Sequence, residues 1–242
     1  GQIVREIDAL GGEMARATDE TGIQFRMLNT SKGAAVRSPR AQCDKLAYER
    51  RMKRVLEAEV EVLADAAEEI RADGRVTGVL TKSGRFVEAR AVIVTTGTFL
   101  KAIQHCGEVQ RTGGRIGEAS AEPLSDDLRR LGFEIGRLKT GTPPRLAMGS
   151  IDFSRVEVQP GDAEPKPFSH FTERITQPQT VCWTTYTNEA THEILRANLH
   201  RAPMYSGQIQ SVGPRYCPSV EDKVVRFRDK DRHIVFLEPE SL

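Results

Sequence analysis

Ala91-Val92-Ile93-Val94-Thr95-Thr96-Gly97-Thr98 is the stretch whose reading decides the fold. Its apolar and β-branched residues run on without polar alternation, the composition of a strand covered on both faces in the interior of a sheet. Gly97 ends the run. A strand that stops at a small residue and a glycine lets backbone N–H groups come close to a phosphate or ribose. Any strand leaving a sheet can end in glycine, so the motif gains its meaning from what precedes it.

Upstream lies a series of short extended segments. Residues 60–63 are apolar and read as a short strand. Residues 64–71 contain helix formers, but their place favours an extended segment. Asp73-Gly74 is a hairpin turn signal leading into residues 75–81; Lys82-Ser83-Gly84-Arg85 turns again, and residues 86–90 return. A meander feeding a buried strand that ends in Thr-Gly-Thr resembles two-dinucleotide flavoproteins. On this motif alone a plain strand end is the better reading. The expected fold class, α/β with a partial FAD-binding Rossmann-type domain and an inserted α+β domain, is what the resemblance carried by further blocks of the chain implies.

Working outward, Ile3, Ile7 and Leu10 stand at helical spacing in residues 2–10, and Gly11-Gly12 stops that helix. Residues 22–29 alternate as a strand does. Ser38-Pro39 offers an N-cap and a first-turn proline for a helix to Glu57, with Leu46, Val55 and Leu56 inward. On the other side, residues 124–131 read as a short surface helix. Prolines crowd the chain after Gly141, which places a domain change near Arg145. Residues 188–198 read as a helix, and residues 224–227 and 233–237 as two strands. The expected organisation is 1–145 as the central part of the FAD-binding domain, 146–227 as an inserted domain, and 228–242 as the start of a return to the first.

Composition sets the bounds. The 242 residues suffice to bury a core in one or two domains. Lys plus Arg is 35 against 34 Asp plus Glu, a balance that neither demands nor excludes a nucleic-acid partner, because patches matter more than sums. Cys43, Cys106, Cys182 and Cys217 form no C-x-x-C pair; they exclude a disulfide framework and read as reduced thiols of a cytoplasmic protein. No apolar run approaches a membrane span, and no signal peptide is present. The chain opens at Gly1 without Met on what reads as helix interior, so both ends read as cuts in a longer protein.

Three further constellations can carry chemistry. Gly113-Gly114-Arg115-Ile116-Gly117-Glu118 can form an anion-binding nest or a plain glycine turn. Arg137, Lys139 and Arg145 surround a proline-stiffened turn. Thr142 stands where a P-loop needs its lysine, so the cations hold an anion or RNA backbone, or form a solvated loop. In Gly213-Pro214-Arg215-Tyr216-Cys217-Pro218-Ser219-Val220-Glu221-Asp222-Lys223, Arg215, Lys223 and Arg226 sit near a thiol in sequence. Neighbouring cations favour the nucleophilic thiolate, and Glu221 and Asp222 add candidate proton-transfer groups. The other cysteines read as small buried hydrophobes. His192-Glu193 begins like a zinc motif, but Arg196 stands where the second His belongs, so no metal is expected.

Taken with Ile7-Asp8-Ala9-Leu10-Gly11-Gly12, Gly22-Ile23-Gln24-Phe25, Ser31-Lys32-Gly33 and Phe236-Leu237-Glu238-Pro239-Glu240, these blocks resemble the GidA/MnmG family of tRNA uridine 5-carboxymethylaminomethyl modification enzymes over nearly the whole chain. The resemblance implies FAD, NADH as reductant, methylene-tetrahydrofolate as one-carbon donor, an MnmE-type partner GTPase, tRNA as substrate and a homodimer. It assigns the thiol that adds to C6 of uracil to Cys217. It places FAD near Ala67, at Thr96, Gly97 and Thr98, and near Ala121. It matches the NAD segment to the Gly213 to Lys223 block continued by Val224, Val225, Arg226 and Phe227. The family's amino-terminal glycine fingerprint, a second cysteine and the carboxy-terminal domain are not in this sequence, so this stretch alone is expected to hold FAD weakly or not at all and to be inactive. Competing readings are a folate- and FAD-dependent tRNA uracil methyltransferase, which the Gly213 to Lys223 block argues against, a small-molecule flavin oxidoreductase, and a non-catalytic dimerisation or binding module.

Overall fold

The computed structural model describes residues 1–209 and 218–242. In chain order the elements are α1 (Gln2–Ala9), α2 (Met14–Thr21), β1 (Gly22–Leu28), β2 (Ser38–Cys43), α3 (Lys45–Glu59), β3 (Ala67–Ala72), β4 (Val76–Thr81), β5 (Phe86–Glu88), β6 (Ile103–Cys106), β7 (Val109–Thr112), α4 (Pro123–Arg130), β8 (Glu157–Gln159), β9 (Cys182–Tyr186), α5 (Glu189–Ala197), α6 (Val220–Arg226) and β10 (Ile234–Leu237). They form two compact units. One comprises Gly1–Val62, Arg145–Asn188 and Arg232–Leu242; the other comprises Leu63–Pro144 and Glu189–Asp231.

In the first unit, β1 and β2 pair antiparallel with Phe25 opposite Ala41 and Met27 opposite Pro39. Ser38 and Pro39, expected to start a helix, therefore lie in a strand. A proline is tolerated there because the sheet has only two strands, and its missing N–H can fall on the open edge. Asp44 caps α3 instead, accepting the Ala47 N–H at 2.8 Å. No residue of α3 is buried, so Leu46, Val55 and Leu56 do not form the inward stripe expected of them. The helix is tied to α2 by Arg51, which pairs with Glu20 at 2.6 Å and also with Glu13.

Helix α1 departs from expectation in the same sense: Ile3, Ile7 and Leu10 are exposed and Asp8 is buried. The Asp8 carboxylate accepts the His170 N–H at 2.7 Å, while Asp19 on α2 accepts the N–H groups of Phe168 at 2.7 Å and Ser169 at 2.8 Å. Two buried carboxylates thus satisfy the backbone of a proline-rich segment that has no ladder of its own. Burial pushes the Asp8 carboxyl up, but the His170 N–H, the Ser169 side chain and the charges of His170 and Arg16 outweigh it, leaving the group below the ordinary range. The segment they hold delivers Phe168 to a core with Ala15 and Phe25, the two rings 6.3 Å apart. A second sheet, ordered β10-β9-β8, sets Phe236 opposite Thr184 and Val158 opposite Trp183, with Phe153 packed on Trp183 at 4.7 Å.

The second unit is built on the meander β3-β4-β5, with Ile70 opposite Val79 and Val79 opposite Val87. Asp73-Gly74 makes the first turn, with Gly74 at φ +67°. Residues 60–63 are an exposed connection rather than a strand. The decisive run also departs from expectation. The meander ends with Ala89 N–H donating to Thr77 O at 3.0 Å, and residues 91–96 form no strand, with Ile93 87% exposed. Its composition asks for neighbours on both edges, and no described residue supplies their backbone groups. Residues 224–227, read as a strand, instead end helix α6. Ser219 accepts the Asp222 N–H at 3.2 Å and Asp222 accepts the Ser219 N–H at 3.0 Å, a reciprocal cap that commits the following residues to helix.

Candidate functional site

Helix α4 is held on the meander by a carboxylate. Asp127 is buried, and its Oδ2 accepts the Ile70 N–H of β3 at 2.7 Å. Leu124 of α4 and Ile70 of β3 are both buried, and Asp127 Oδ1 is also bonded by Arg130 of the same helix. This docking brings Ala121-Glu122-Pro123 to Ala66-Ala67-Glu68. Together with Lys82, Phe99, Ala119 and Ser120 they line an open hollow of about 460 Å³. Two positions given to the cofactor by the resemblance, Ala67 and Ala121, therefore meet in one place. Thr96, Gly97 and Thr98 do not line the hollow; the next residue, Phe99, does.

The Thr96-Gly97-Thr98 segment is stitched to the glycine turn downstream. Gly97 adopts φ +56°, a region costly for side chains with a Cβ, and the Thr98 hydroxyl donates to Gly114 O at 3.0 Å. Ala121 N–H donates to Phe99 O at 2.8 Å and Lys101 N–H to Ala121 O at 3.0 Å. Gly114 lies directly against the Phe99 ring: a Cβ there would sit 2.2 Å from Cδ1. Arg115 does not point into a nest. Its guanidinium lies 5.5 Å from the Phe99 ring centre and 3.8 Å from Glu118.

Of the cysteine block, Gly213, Pro214, Arg215, Tyr216 and Cys217 lie outside the described residues. Pro218 and Ser219 lead into α6, which carries Val220, Glu221, Asp222, Lys223, Val224, Val225 and Arg226, with Phe227 at its C-cap. Asp222 is engaged on every side: besides the Ser219 cap, it accepts the Tyr205 hydroxyl at 2.9 Å and lies 3.9 Å from Lys139 Nζ. Burial raises its pKa, but the Ser219 N–H, the Tyr205 hydroxyl and the Lys139 charge bring it below the usual carboxylate range. Tyr205 is driven the other way, to about 12, by burial and then by donating to Asp222. A carboxylate so committed is a poor proton-transfer group; the other candidate carboxylate on this helix, Glu221, is half-buried.

The three cations of residues 137–145 do not converge. Arg137 donates to Lys101 O at 3.2 Å, Lys139 turns to Asp222, and Arg145 belongs to the other unit, paired with Glu240 at 2.8 Å. What residues 137–139 do instead is join two candidate segments of the second unit, the Thr-Gly-Thr exit at Lys101 and helix α6 at Asp222. Among the remaining cysteines, Cys182 is buried and Cys43 half-buried. Burial is the leading cause that pushes both thiols up; Cys106, expected to be buried, is exposed. A larger open groove of about 580 Å³ runs along α3 in the first unit, but its Arg50, Arg51, Lys53 and Arg54 are interleaved with Glu20 and Glu57.

Asp127, Phe99, Tyr205 and the Lys139–Asp222 pair were not singled out as a set by the sequence. Only the Ser219-x-x-Asp222 cap left a local signal.

The fold is mixed α/β and matches solved structures of GidA, as an FAD-binding Rossmann-type protein would. The family described as glucose inhibited division protein A matches residues 1–242, and the chain belongs to it. It is 56% identical over 244 residues to the tRNA uridine 5-carboxymethylaminomethyl modification enzyme MnmG of Geobacter sulfurreducens, covering 100% of this chain and 39% of the relative. The protein of the same name from Thermodesulfovibrio yellowstonii is 54% identical over 245 residues, with the same coverage. Among solved structures, Aquifex aeolicus GidA in its form I crystal superposes with a TM-score of 0.90 at 51% identity, covering 99% of this chain and 42% of that one. The chain spans about 39% of the length of the curated relatives it matches.

Proposed function

We propose that this chain is the central part of an FAD- and NADH-dependent enzyme that adds a carboxymethylaminomethyl group to C5 of the wobble uridine of tRNA. Methylene-tetrahydrofolate is the one-carbon donor, and an MnmE-type GTPase is the partner. The observation that carries the reading is 56% identity along the whole chain to a relative named for that modification. The hollow supports the flavin. Its walls are small at Ala66, Ala67, Ala119 and Ala121, Phe99 adds an apolar lining residue, and about 460 Å³ falls within the range of small-molecule sites.

In this reading Ala67, Ala121 and the Thr96-Gly97-Thr98 backbone hold FAD, which when bound supplies two-electron redox chemistry. Small side chains let a ring system approach the backbone, and Asp127 fixes the distance between the two walls by holding α4 on β3. The Gly213 to Phe227 segment holds NADH, with Lys223 and Arg226 as its cations. Cys217 supplies the thiolate that adds to C6 of uracil, making C5 nucleophilic; the neighbouring Arg215, Lys223 and Arg226 in the sequence favour the ionised thiol. The full protein works as a homodimer in the cytoplasm, where its tRNA is.

The test uses a protein of the relatives' full length carrying this sequence, expressed in a host that lacks its own such enzyme. Nucleosides from digested tRNA, read by mass spectrometry, should regain the carboxymethylaminomethyl group at the wobble uridine. They should lose it again with Cys217→Ser. No restoration by the wild type overturns the reading; full restoration by Cys217→Ser removes the thiol from it.

A further inference from the structure

Tyr205 and Asp222 are seventeen residues apart in sequence, yet the Tyr205 hydroxyl meets Asp222 Oδ1 at 2.9 Å. Asp222 is also the N3 residue of the reciprocal cap on α6. Lys139 arrives from a third segment, with its Nζ 3.9 Å from Asp222 Oδ2, and the two side chains are only 12% and 13% exposed. Three parts of the second unit are therefore fastened at one carboxylate: the segment around Tyr205, the start of α6, and the 137–139 strap whose other end donates to Lys101 O.

Such a node needs a reason. Burying a carboxylate is costly unless it is fully paired, and a helix as short as α6 has little stability of its own. Of the side chains α6 leaves open, Val220 and Arg226 are exposed and Glu221, Lys223 and Val225 half-buried, and the two that can meet an anion are Lys223 and Arg226. Both are cations, suited to the phosphates of a dinucleotide.

We infer that Lys139 and Tyr205 are positioning residues for reduced-nicotinamide binding. They act through Asp222, which sets the start and rotation of α6 and so aims Lys223 and Arg226 at the cofactor's phosphates. The inference rests on the reading that residues up to Phe227 form the NADH segment. Neither Lys139 nor Tyr205 touches the cofactor; each fixes the carboxylate that fixes the helix. The consequence is specific. Loosening the node weakens NADH capture while leaving flavin binding and the rate at saturating NADH alone, because the Ala67–Phe99–Ala121 hollow is built by other contacts.

The experiment is NADH-driven reduction of bound flavin, followed by absorbance, in the full-length protein loaded with FAD. Tyr205→Phe deletes one hydroxyl. It should raise the NADH KM about tenfold, the scale of a lost hydrogen bond to a charged group, with kcat and flavin content unchanged. Lys139→Gln should do the same, and Lys139→Arg should restore the KM. An unchanged KM in a folded Tyr205→Phe protein overturns the inference, as does a fall in kcat at constant KM. If the wild type does not reduce its flavin with NADH at all, the NADH reading falls and this inference with it. If the wild type reduces normally and Arg226→Ala raises the KM while Tyr205→Phe does not, the reading stands and the inference alone is wrong.

Discussion

The Asp127 carboxylate accepts the backbone N–H of Ile70 at 2.7 Å, fifty-seven residues away in sequence, and by that bond helix α4 is fastened to the first strand of the meander. Ala67 lies three residues before one partner and Ala121 six residues before the other, so the bond governs how the two walls of the hollow face each other. Asp127→Ala leaves a buried N–H without its acceptor, at a cost of about 1–3 kcal/mol. Urea unfolding should show that loss, and FAD titration of the full-length protein should show weaker binding. Unaltered affinity in the destabilised variant would separate the bond from the site.

Asp8 makes the first unit sensitive to acid. Its folded pKa lies below the unfolded value of about 3.9, so its contribution is complete above that value and is lost as pH falls through the folded one. Asp8→Asn should therefore cost about 1–3 kcal/mol near neutrality. The gap from wild type should begin to narrow below the unfolded value of about 3.9 and close only once pH has fallen through the lower folded one, where the native carboxyl also becomes protonated. Urea unfolding of the two proteins across that range measures it; a gap independent of pH would deny Asp8 the role.

Tyr205 behaves oppositely. Its phenol is pushed up to about 12, so what it contributes is present below the unfolded value of about 10 and is lost as pH rises through 12. Ultraviolet titration should show one phenol ionising near 12 that vanishes in Tyr205→Phe, the remaining tyrosines titrating as before.

Two glycines are constrained for different reasons. Gly97 stands at φ +56°, where an alanine costs about 1–2 kcal/mol through its backbone alone. Gly114 has no Cβ space because of the Phe99 ring. Gly114→Ala should therefore disturb the position of Phe99 and weaken FAD binding, and Phe99→Ala with Gly114→Ala together should cost less than the sum of the two single changes, because removing the ring removes the clash. Thermal unfolding and flavin titration of the single and double variants report both effects.

The legible parts of this molecule were those whose pattern is local. Asp73-Gly74 declared its turn, β1 and β4 follow their composition, and β3 follows its place before that turn rather than its helix formers. What misled were signals with two local meanings. Ser38-Pro39 suits a helix start as well as an edge strand, and pairing with β1 decided it. Val224-Val225 suits a strand, but the Ser219–Asp222 cap upstream had already set a helix. The run at residues 91–96 shows the complementary limit: an apolar strand is defined by its neighbours, and the sequence of the strand does not contain them. Of the site, Ala67 and Ala121 meet through α4 docking on β3. The anchors Asp127 and Tyr205 were invisible because each acts on a partner far along the chain, and Lys139, read as one of three cations around a turn, instead meets Asp222.

The account depends most on the hollow between Ala67, Phe99 and Ala121 being where flavin sits. Ala121→Trp fills it from one wall without touching the Asp127 bond. In the full-length protein, with native circular dichroism retained, FAD affinity measured by flavin fluorescence should fall at least about tenfold, a loss of about 1.4 kcal/mol. Wild-type affinity in a folded Ala121→Trp protein would contradict the placement of the cofactor.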